Sequence, residues 1–337
     1  MDLNNNKLTS LPSTFCNCES LEVLLLENNE LEELCKGMSA FEQMHTISLK
    51  NNRLTRLSRG LGSLMLIHNL KSYDLSGNPW SMPTDEVREQ GEARMLEFVG
   101  EIWKSKLANG LKAIGFGLLQ VPDEILAMHG IVELYLDNNK LETLPKEISD
   151  LSKLEEFSAK NNRLTTLCDE LFEIKSLSVL KVDSNKLTLL NRNVGKIART
   201  LTWLGIEHNM IKNFPPEFAL LEALEILNVT FVTLDPDISW ALDAGLQVLK
   251  SYVRAWNMVP AINKLNLTWN SVLFQLSLVP PFTCISYIMS HTSCRIHSMP
   301  FLPHFSPPIS LVCSHSSLSD NRLGAAAKGA LSAMEVY

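Results

Sequence analysis

Histidine and cysteine side chains, which bind metal ions and act in catalysis, are concentrated near the C-terminal end of the chain. The set comprises Cys284, His291, Cys294, His297, His304, Cys313 and His315. Zinc modules arrange their ligands in pairs such as C-x-x-C and H-x-x-x-H, whereas the spacing here is H-x-x-C-x-x-H. We therefore predict no metal site and no cofactor, and keep a metal site in this segment as the minor alternative.

The rest of the sequence lacks the common motifs of catalysis and nucleotide binding. There is no G-x-x-x-x-G-K-[ST] phosphate loop, no H-E-x-x-H zinc motif, no G-x-S-x-G nucleophile elbow and no set of kinase motifs. The acidic pairs Glu32-Glu33 and Glu155-Glu156 are most simply solvated residues, and we expect His208 to be an exposed neighbour of an asparagine. We predict that the protein is not an enzyme and has no small-molecule substrate.

Composition restricts the partners and the compartment. The 337 residues carry a formal net charge of −7 and no basic stripe, which argues against nucleic acid and anionic membranes as partners. The first residues lack the apolar core of a secretory signal. The seven cysteines are scattered, odd in number and not gathered beside the repeats described below. These features predict a reducing compartment, and we expect a cytoplasmic protein.

An internal repeat dominates the first part of the chain. Residues 21–34 match the pattern L-x-x-L-x-L-x-x-N-x-L-x-x-L. Its third apolar position recurs at residues 3, 26, 49 and 75 and, after an interruption, at 113, 136, 159, 182, 206 and 229. Most steps are 23 residues, with single departures of 26 and 24. This register predicts a leucine-rich-repeat solenoid, an α/β fold with a curved parallel sheet on its concave side.

Each repeat position has a physical reason. The alternation in L-x-L predicts a short strand with one buried face. An asparagine follows the strand where the chain bends inward, and a buried amide there can satisfy backbone groups that have no strand partner. We predict a structural ladder of such residues at Asn6, Asn29, Asn52, Asn78, Asn139, Asn162, Asn185 and Asn209. A single repeat buries too little apolar surface to offset its conformational entropy, so the repeats must stack.

Two amphipathic segments follow the two runs of repeats. Thr84 or Asp85 can cap the first helix, and Gly91 inside it predicts a close packing contact. Gly245 matches Gly91 in the second segment, so we expect both helices to be lids on open solenoid ends, with an unrelated insertion at 84–104 as the alternative. The predicted segments are block 1 at 1–83, truncated at its N-terminus, a helical cap and linker at 84–109, block 2 at 110–234, a capping helix at 235–256 and a poorly structured tail at 257–337.

The sequence resembles a family of intracellular leucine-rich-repeat proteins, that of the leucine-rich-repeat-containing protein numbered forty. The resemblance is carried by Gly77-Asn78-Pro79-Trp80, by Gly91, Met95 and Phe98, and by the restart at residues 117–124. It covers about residues 1–256 and implies two repeat blocks, each closed by a helix, without a catalytic centre. Met1 begins inside a repeat and Val232 replaces the last asparagine. The first departure leads us to expect missing upstream repeats.

Residues that alternate with the buried leucines are free to serve function. In block 2 we predict a protein-binding concave face made of Glu133, Tyr135, Asp137, Glu156, Ser158, Lys160, Val179, Lys181, Asp183, Trp203, Gly205 and Glu207. Tyr135 and Trp203 are the predicted anchors, because exposed aromatics are enriched among binding hot spots. The alternative is that both rings only pack on their neighbours. Mixed charges around them predict a partner that carries both signs.

We expect an interaction scaffold in intracellular signalling, with a small GTPase or a phosphatase as the type of partner. Two other classes stay open: a regulatory fragment of a larger enzyme, and a receptor ectodomain, which the missing signal and cysteine caps disfavour.

The tail departs from the repeat pattern. From Leu265 to Ser319 its only charged residue is Arg295. Residues 271–289 are long enough for a membrane span, but Pro280-Pro281 and Gln275 interrupt the apolar run. We predict that this segment is poorly structured. Its composition is also that expected of translated non-coding sequence.

Overall fold

The computed structural model describes the backbone of residues 1–67 and 70–265. The chain divides into two compact units, Met1–Asp235 and Pro236–Tyr337. The hypotheses of a membrane span at 271–289 and of a metal site from Cys284 to His315 lie outside the described residues. Most of the predicted tail lies outside them as well.

From the second repeat onward, the described residues form one short parallel strand in each repeat, and Asp2 of the first repeat makes an isolated parallel bridge to Leu25. The strands are β1 (Val23–Leu25), β2 (Thr46–Ser48), β3 (Ser72–Asp74), β4 (Gly110–Lys112), β5 (Glu133–Tyr135), β6 (Glu156–Ser158), β7 (Val179–Lys181), β8 (Trp203–Gly205) and β9 (Ile226–Asn228). Each strand pairs in parallel with the next, in one sheet of order β1-β2-β3 and a second of order β4-β5-β6-β7-β8-β9. This architecture confirms the predicted α/β leucine-rich-repeat solenoid.

The core lies on one side of the strands. Because side chains alternate along a strand, the central residue of most strands points inward and is fully buried, as with Leu24, Ile47 and Leu134. Short 3-10 helices cover the opposite side of the core, and each contributes buried side chains. They span Ser13–Asn17, Met38–Ala40, Lys146–Asp150, Asp169–Glu173, Arg192–Ile197 and Pro216–Leu220. Burying each such side chain stabilises the fold by about 1.5–3 kcal/mol before conformational entropy is counted.

α-Helices occur at four places in the described part of the chain. They are α1 (Arg59–Ile67), α2 (Asp85–Arg88), α3 (Glu92–Ala108), α4 (Asp123–Leu126), α5 (Pro236–Asp243) and α6 (Leu246–Leu265). Helix α6 thus continues past the predicted end of the capping helix at residue 256. That α5 and α6 cover the end of block 2 stays a prediction.

Gly91 and Gly245 play the same backbone role. Gly91 separates α2 from α3 with φ of 97°, and Gly245 separates α5 from α6 with φ of 115°. The close packing contact predicted for Gly91 is wrong, because nothing lies within 4 Å of a Cβ added there. Glycine is favoured at both positions because L side chains rarely adopt this backbone conformation.

The close contact is made instead by Gly62 of α1 and Gly100 of α3. A Cβ added to Gly62 would lie 2.2 Å from the backbone nitrogen of Gly100, so the two helix backbones are in direct contact. α1 also accounts for the 26-residue step in the repeat register, since it is longer than the 3-10 helices of the other repeats.

Helix α3 has a repeat on each side. On the block 1 side, the Glu92 carboxylate accepts a hydrogen bond from the Leu75 backbone N–H at 3.0 Å. On the block 2 side, the Arg94 guanidinium donates to the Gly115 carbonyl at 2.6 Å and lies 4.0 Å from the centre of the Phe116 ring. Phe98 packs edge-on against Phe116, with 5.1 Å between ring centres. The segment predicted as a lid on block 1 therefore also supports the first repeat of block 2.

The first repeats contain a disulfide bond between Cys16 and Cys35. The scattered cysteine spacing did not predict it. Among the described cysteines, Cys18 is an exposed free thiol and Cys168 is a half-buried one. Burial raises the pKa of the Cys168 thiol, which makes it a poor nucleophile at neutral pH.

Candidate functional site

The predicted asparagines form a ladder of backbone hydrogen bonds. The Asn162 side chain donates to the carbonyls of Leu136 and Ala159, at 2.9 and 3.1 Å, and accepts from the Leu141 N–H at 3.0 Å. Each residue thus joins its own repeat to the preceding one. The same bonding recurs at Asn29, Asn52, Asn78, Asn139, Asn185 and Asn209. Asn6, by contrast, is exposed and donates to the carbonyls of Leu3 and Asn4.

A second column of residues precedes this ladder by one position, and we call it the outer column. Its members are Asn5, Asn28, Asn51, Gly77, Gly115, Asn138, Asn161, Ser184, His208 and Phe231. All have φ between 51° and 71°, a left-handed conformation that asparagine and glycine tolerate best. Asn161 donates to the Asn138 side-chain oxygen at 2.6 Å, and Asn28 and Asn51 bond to their predecessors in the same way. The paired asparagines in the sequence were the signal for this column.

The outer column ends in two aromatic rings. His208 and Phe231 stack with 4.6 Å between ring centres and 13° between ring planes. Phe231 is 75% exposed and has φ of 57°. A bulky side chain in this conformation is strained, and such strain is concentrated at functional sites. His208 is exposed, as predicted from its position beside Asn209, but the sequence did not predict that its ring stacks on Phe231.

Strand register sorts the concave face of block 2 into rows. The row of first strand positions contains Glu133, Glu156, Val179, Trp203 and Ile226, so it changes from acidic to apolar toward β9. Ile226 is 40% exposed and Trp203 is half-buried. The next outward row contains Tyr135, Ser158, Lys181 and Gly205. Trp203 and Tyr135 therefore lie in different rows, Trp203 at the first position of β8 and Tyr135 at the third position of β5.

In the first two rows, a hydrogen bond lies within β5, an ion pair joins β6 to β7, and a cation–ring contact joins β7 to β8. The Tyr135 hydroxyl donates to Glu133 Oε2 at 3.3 Å, and burial together with the charges of Glu156 and Glu133 raises the pKa of Tyr135. Lys181 Nζ lies 2.6 Å from Glu156 Oε1 and 5.7 Å from the centre of the Trp203 ring. Both predicted anchors are therefore held by charged neighbours.

A second set of bonds crosses the ends of the same strands. Asp137 accepts from the Ser158 hydroxyl at 2.6 Å and from the Lys160 N–H at 2.7 Å. Asp183 is only 7% exposed; it pairs with Lys160 Nζ at 3.0 Å and accepts from the Glu207 N–H at 3.0 Å. Asp137 and Asp183 therefore serve mainly to hold the face together.

Gly205 is required by this arrangement. A Cβ added there would lie 2.7 Å from Asp183 Oδ1, so any larger residue in this position would displace the carboxylate.

The lysines of the face are occupied by internal partners. Lys160 and Lys181 pair with Asp183 and Glu156, whereas Glu133 and Glu207 form no salt bridge within the part of the chain that the structure describes. Among the charged residues of the predicted face, those without an ion pair are therefore acidic, and a partner bearing both signs stays a prediction. The sequence could not show which acids the lysines neutralise.

The described residues contain no cluster of three or more histidine, cysteine or acidic side chains placed to hold a metal ion. Within the same ranges, no helix combines the length and apolarity needed to cross a membrane. The arrangement on the concave face is one of rings, carboxylates and internal ion pairs, which suits recognition of another molecule.

No protein-family profile matches the chain, and no curated protein matches it. Among solved structures, a leucine-rich-repeat protein of Leptospira interrogans is 22% identical over 72% of this chain and 57% of its own, with a TM-score of 0.37. An internalin from Listeria monocytogenes is 19% identical over 75% and 70%, with a TM-score of 0.38. A plant peptide hormone receptor, solved in a complex, is 19% identical over 69% of this chain and 40% of its own, with a TM-score of 0.35.

The chain thus spans little more than half of the Leptospira protein. Its own repeat register, parallel strands and asparagine hydrogen bonds, rather than these similarities, identify its fold as a leucine-rich-repeat solenoid.

Proposed function

We propose that this protein is an interaction scaffold that binds a partner protein on the concave face of block 2. The observation that carries the proposal is the row Val179, Trp203 and Ile226, which presents partly exposed apolar side chains on a sheet face whose other positions are mostly polar. The fold gains little from these groups, because the opposite face of the strands supplies the core. A partner that covers them would gain the burial energy.

The anchors are already ordered before binding. Lys181 holds Trp203 from one side, and Glu133 fixes the Tyr135 hydroxyl. Association then costs less side-chain entropy than it would with freely rotating rings. Rigid aromatic anchors surrounded by charged groups are typical of binding hot spots.

We further propose a cytoplasmic role in signalling, with a small GTPase or a phosphatase as the partner, and kinship with the intracellular family that the sequence resembles. The absence of recognisable catalytic motifs supports a scaffold rather than an enzyme. A regulatory fragment of a larger enzyme remains the alternative within the same compartment.

One observation favours a second candidate, the recognition domain of an extracellular receptor. Disulfides persist mainly in oxidising compartments, and Cys16 is bonded to Cys35. Counting free thiols in protein purified under alkylating conditions separates the two locations. An oxidised Cys16–Cys35 pair in cells would contradict the cytoplasmic proposal while leaving the binding face intact.

Substitution of the anchors tests the proposed face. With a partner captured from cells and then purified, Trp203→Ala and Tyr135→Ala should each weaken binding by about 2 kcal/mol or more, because hot-spot rings lose their buried contacts. Tyr135→Phe, which keeps the ring and removes the hydroxyl, should weaken it less.

Lys146→Ala, on the 3-10 helix that covers the opposite side of the core, is the matched control and should change neither affinity nor melting temperature. If both ring variants bind normally once their folded fraction is measured by circular dichroism, the rings belong to the fold and the binding site lies elsewhere.

A further inference from the structure

The concave face of block 2 carries acidic groups that the protein itself leaves without a cation. The two lysines near the centre of the face neutralise Glu156 and Asp183. Glu133 and Glu207, toward its two ends, form no salt bridge with the described part of the chain. Lys112 is the register partner of Tyr135, and its ammonium group lies 5.8 Å from the centre of the Tyr135 ring.

Both carboxylates are held in position by a hydroxyl group. Glu133 Oε2 accepts from the Tyr135 hydroxyl at 3.3 Å, and Glu207 accepts from the Thr230 hydroxyl. Each is also next to an aromatic ring: Tyr135 beside Glu133, and the stacked His208 and Phe231 rings, which directly follow Glu207 and Thr230 in the sequence. An oriented carboxylate next to a ring is a favourable site for a guanidinium or ammonium group.

Nearby lysines already use the rings of this face in that way. Lys112 lies 5.8 Å from the centre of the Tyr135 ring and Lys181 lies 5.7 Å from that of Trp203. The rings of His208 and Phe231 have no such cation within the described residues. Phe231 keeps a strained left-handed backbone although asparagine fills most equivalent positions. Stability alone does not account for a phenylalanine there, whereas an exposed ring that contacts a ligand does.

We propose that the partner presents a basic, extended segment to this face, with cationic side chains bound at Glu133 and at Glu207–Phe231. The inference rests on the proposed function and names the chemistry of its partner. Three strand steps across the sheet and four residues along it place the two carboxylates about 20 Å apart. An extended chain covers that distance in about six residues, so two arginines six positions apart would reach both sites.

Synthetic fluorescent peptides test the proposal directly. The probe is a ten-residue serine-rich peptide with a central leucine and two arginines six positions apart, and binding is followed by fluorescence anisotropy at low salt. Two controls have the same length: one replaces both arginines by citrulline, which removes the charge and keeps the shape, and one places the arginines side by side. The spaced arginine peptide should bind at least about tenfold more tightly than the citrulline peptide.

Variants of the protein locate the sites. Glu133→Gln and Glu207→Gln should each weaken the spaced peptide about fivefold. Phe231→Asn should also weaken it, although this change relieves backbone strain and should not lower the melting temperature. The matched control is Glu142→Gln, an exposed acid outside the face, which should leave binding unchanged.

Equal affinity for arginine and citrulline peptides, or unchanged binding in both glutamine variants, would overturn the inference. If Trp203→Ala nevertheless loses the captured partner, the binding face stands and only its preference for a basic segment is wrong. If Trp203→Ala keeps the partner, the proposed function itself fails.

Discussion

Blocks 1 and 2 are built by the same repeat but present different faces. Asn52 and Asn162 make equivalent hydrogen bonds, and Ile47 and Leu134 occupy equivalent buried positions. The outward positions of the three strands in block 1 are instead occupied by small or polar residues and two half-buried aliphatic ones: Val23, Leu25, Thr46, Ser48, Ser72 and Asp74. The aromatic anchors Tyr135 and Trp203 are found on the strands of block 2.

This difference separates the residues that the fold requires from the residues that are free to serve binding. The inward leucines and the asparagines must be the same in every repeat, because each repeat has to fit its neighbours. The outward residues satisfy no such condition, so they can change from repeat to repeat. Around Tyr135 and Trp203 the outward residues include aromatic and acidic side chains. We infer that these residues were selected for binding rather than for folding.

The largest effect is expected at the helix contact that joins the two blocks. Replacing a helical glycine by alanine ordinarily stabilises a helix, but Gly62→Ala places a Cβ against the backbone of Gly100 and should destabilise the protein by about 3 kcal/mol or more. Urea unfolding followed by circular dichroism measures it. Gly130→Ala, where an added Cβ meets nothing within 4 Å, is the control. A stable Gly62→Ala variant would show that α1 and α3 do not pack closely.

Replacing a buried asparagine of the ladder should lower the free energy of unfolding by the same amount in both blocks. Asn52→Ala and Asn162→Ala each leave backbone groups of two repeats without a partner, at about 1–3 kcal/mol. Asn161→Ala should cost about 1 kcal/mol, because alanine disfavours its left-handed backbone, and Asn161→Gly less. Equal urea midpoints for Asn162→Ala and Asn161→Gly would contradict this assignment of register.

A smaller effect of opposite sign is expected at the end of block 2. Phe231→Asn restores the residue type that the outer column uses in both blocks and should stabilise the protein by up to about 1 kcal/mol. Thermal unfolding measures it. Leu189→Asn, which changes another exposed apolar residue outside the outer column, should not raise the melting temperature. A lower melting temperature for Phe231→Asn would mean that the ring contributes to the fold.

The smallest effect concerns Glu92, which links α3 to block 1. Burial raises the pKa of this carboxyl, so the folded state disfavours its charged form. The stability it contributes is present at acidic pH and is lost as the pH rises through its folded pKa. Glu92→Gln keeps an oxygen for the Leu75 N–H without the charge. It should therefore be slightly more stable than the parent at pH 7 and equal to it at pH 3.5, in paired thermal melts with Glu89→Gln as control.

The sequence predicts the residues that recur in every repeat, but not the side-chain contacts between neighbouring repeats. The periodic leucines and asparagines predicted the strands, their parallel pairing and the position of the core, because those residues interact in the same way in each repeat. The partners of Lys160 and Lys181 could not be predicted, since each residue has an acid on more than one neighbouring strand within reach. Gly91 was misinterpreted because a glycine needed for backbone conformation and one needed for close packing look alike in sequence.

The outer column is a more instructive omission. The paired asparagines at 28–29, 51–52, 138–139 and 161–162 indicate this column in the sequence. Only the later asparagine of each pair was predicted to have a structural role. The left-handed backbone gives the earlier asparagine of each pair a structural reason of its own. Phe231 is then recognised as a bulky residue at a position that favours asparagine or glycine.

The position of α3 has a consequence for how the molecule unfolds. A stack of repeats transmits stability only between nearest neighbours, and β3 and β4 are not hydrogen-bonded to each other. Cooperativity between the two sheets must then pass through contacts such as this helix, which holds Leu75 by a carboxylate and Gly115 by a guanidinium, and the Arg56–Glu124 ion pair. We expect that a partner bound to block 2 protects block 1 from unfolding only as far as these contacts hold the two sheets together.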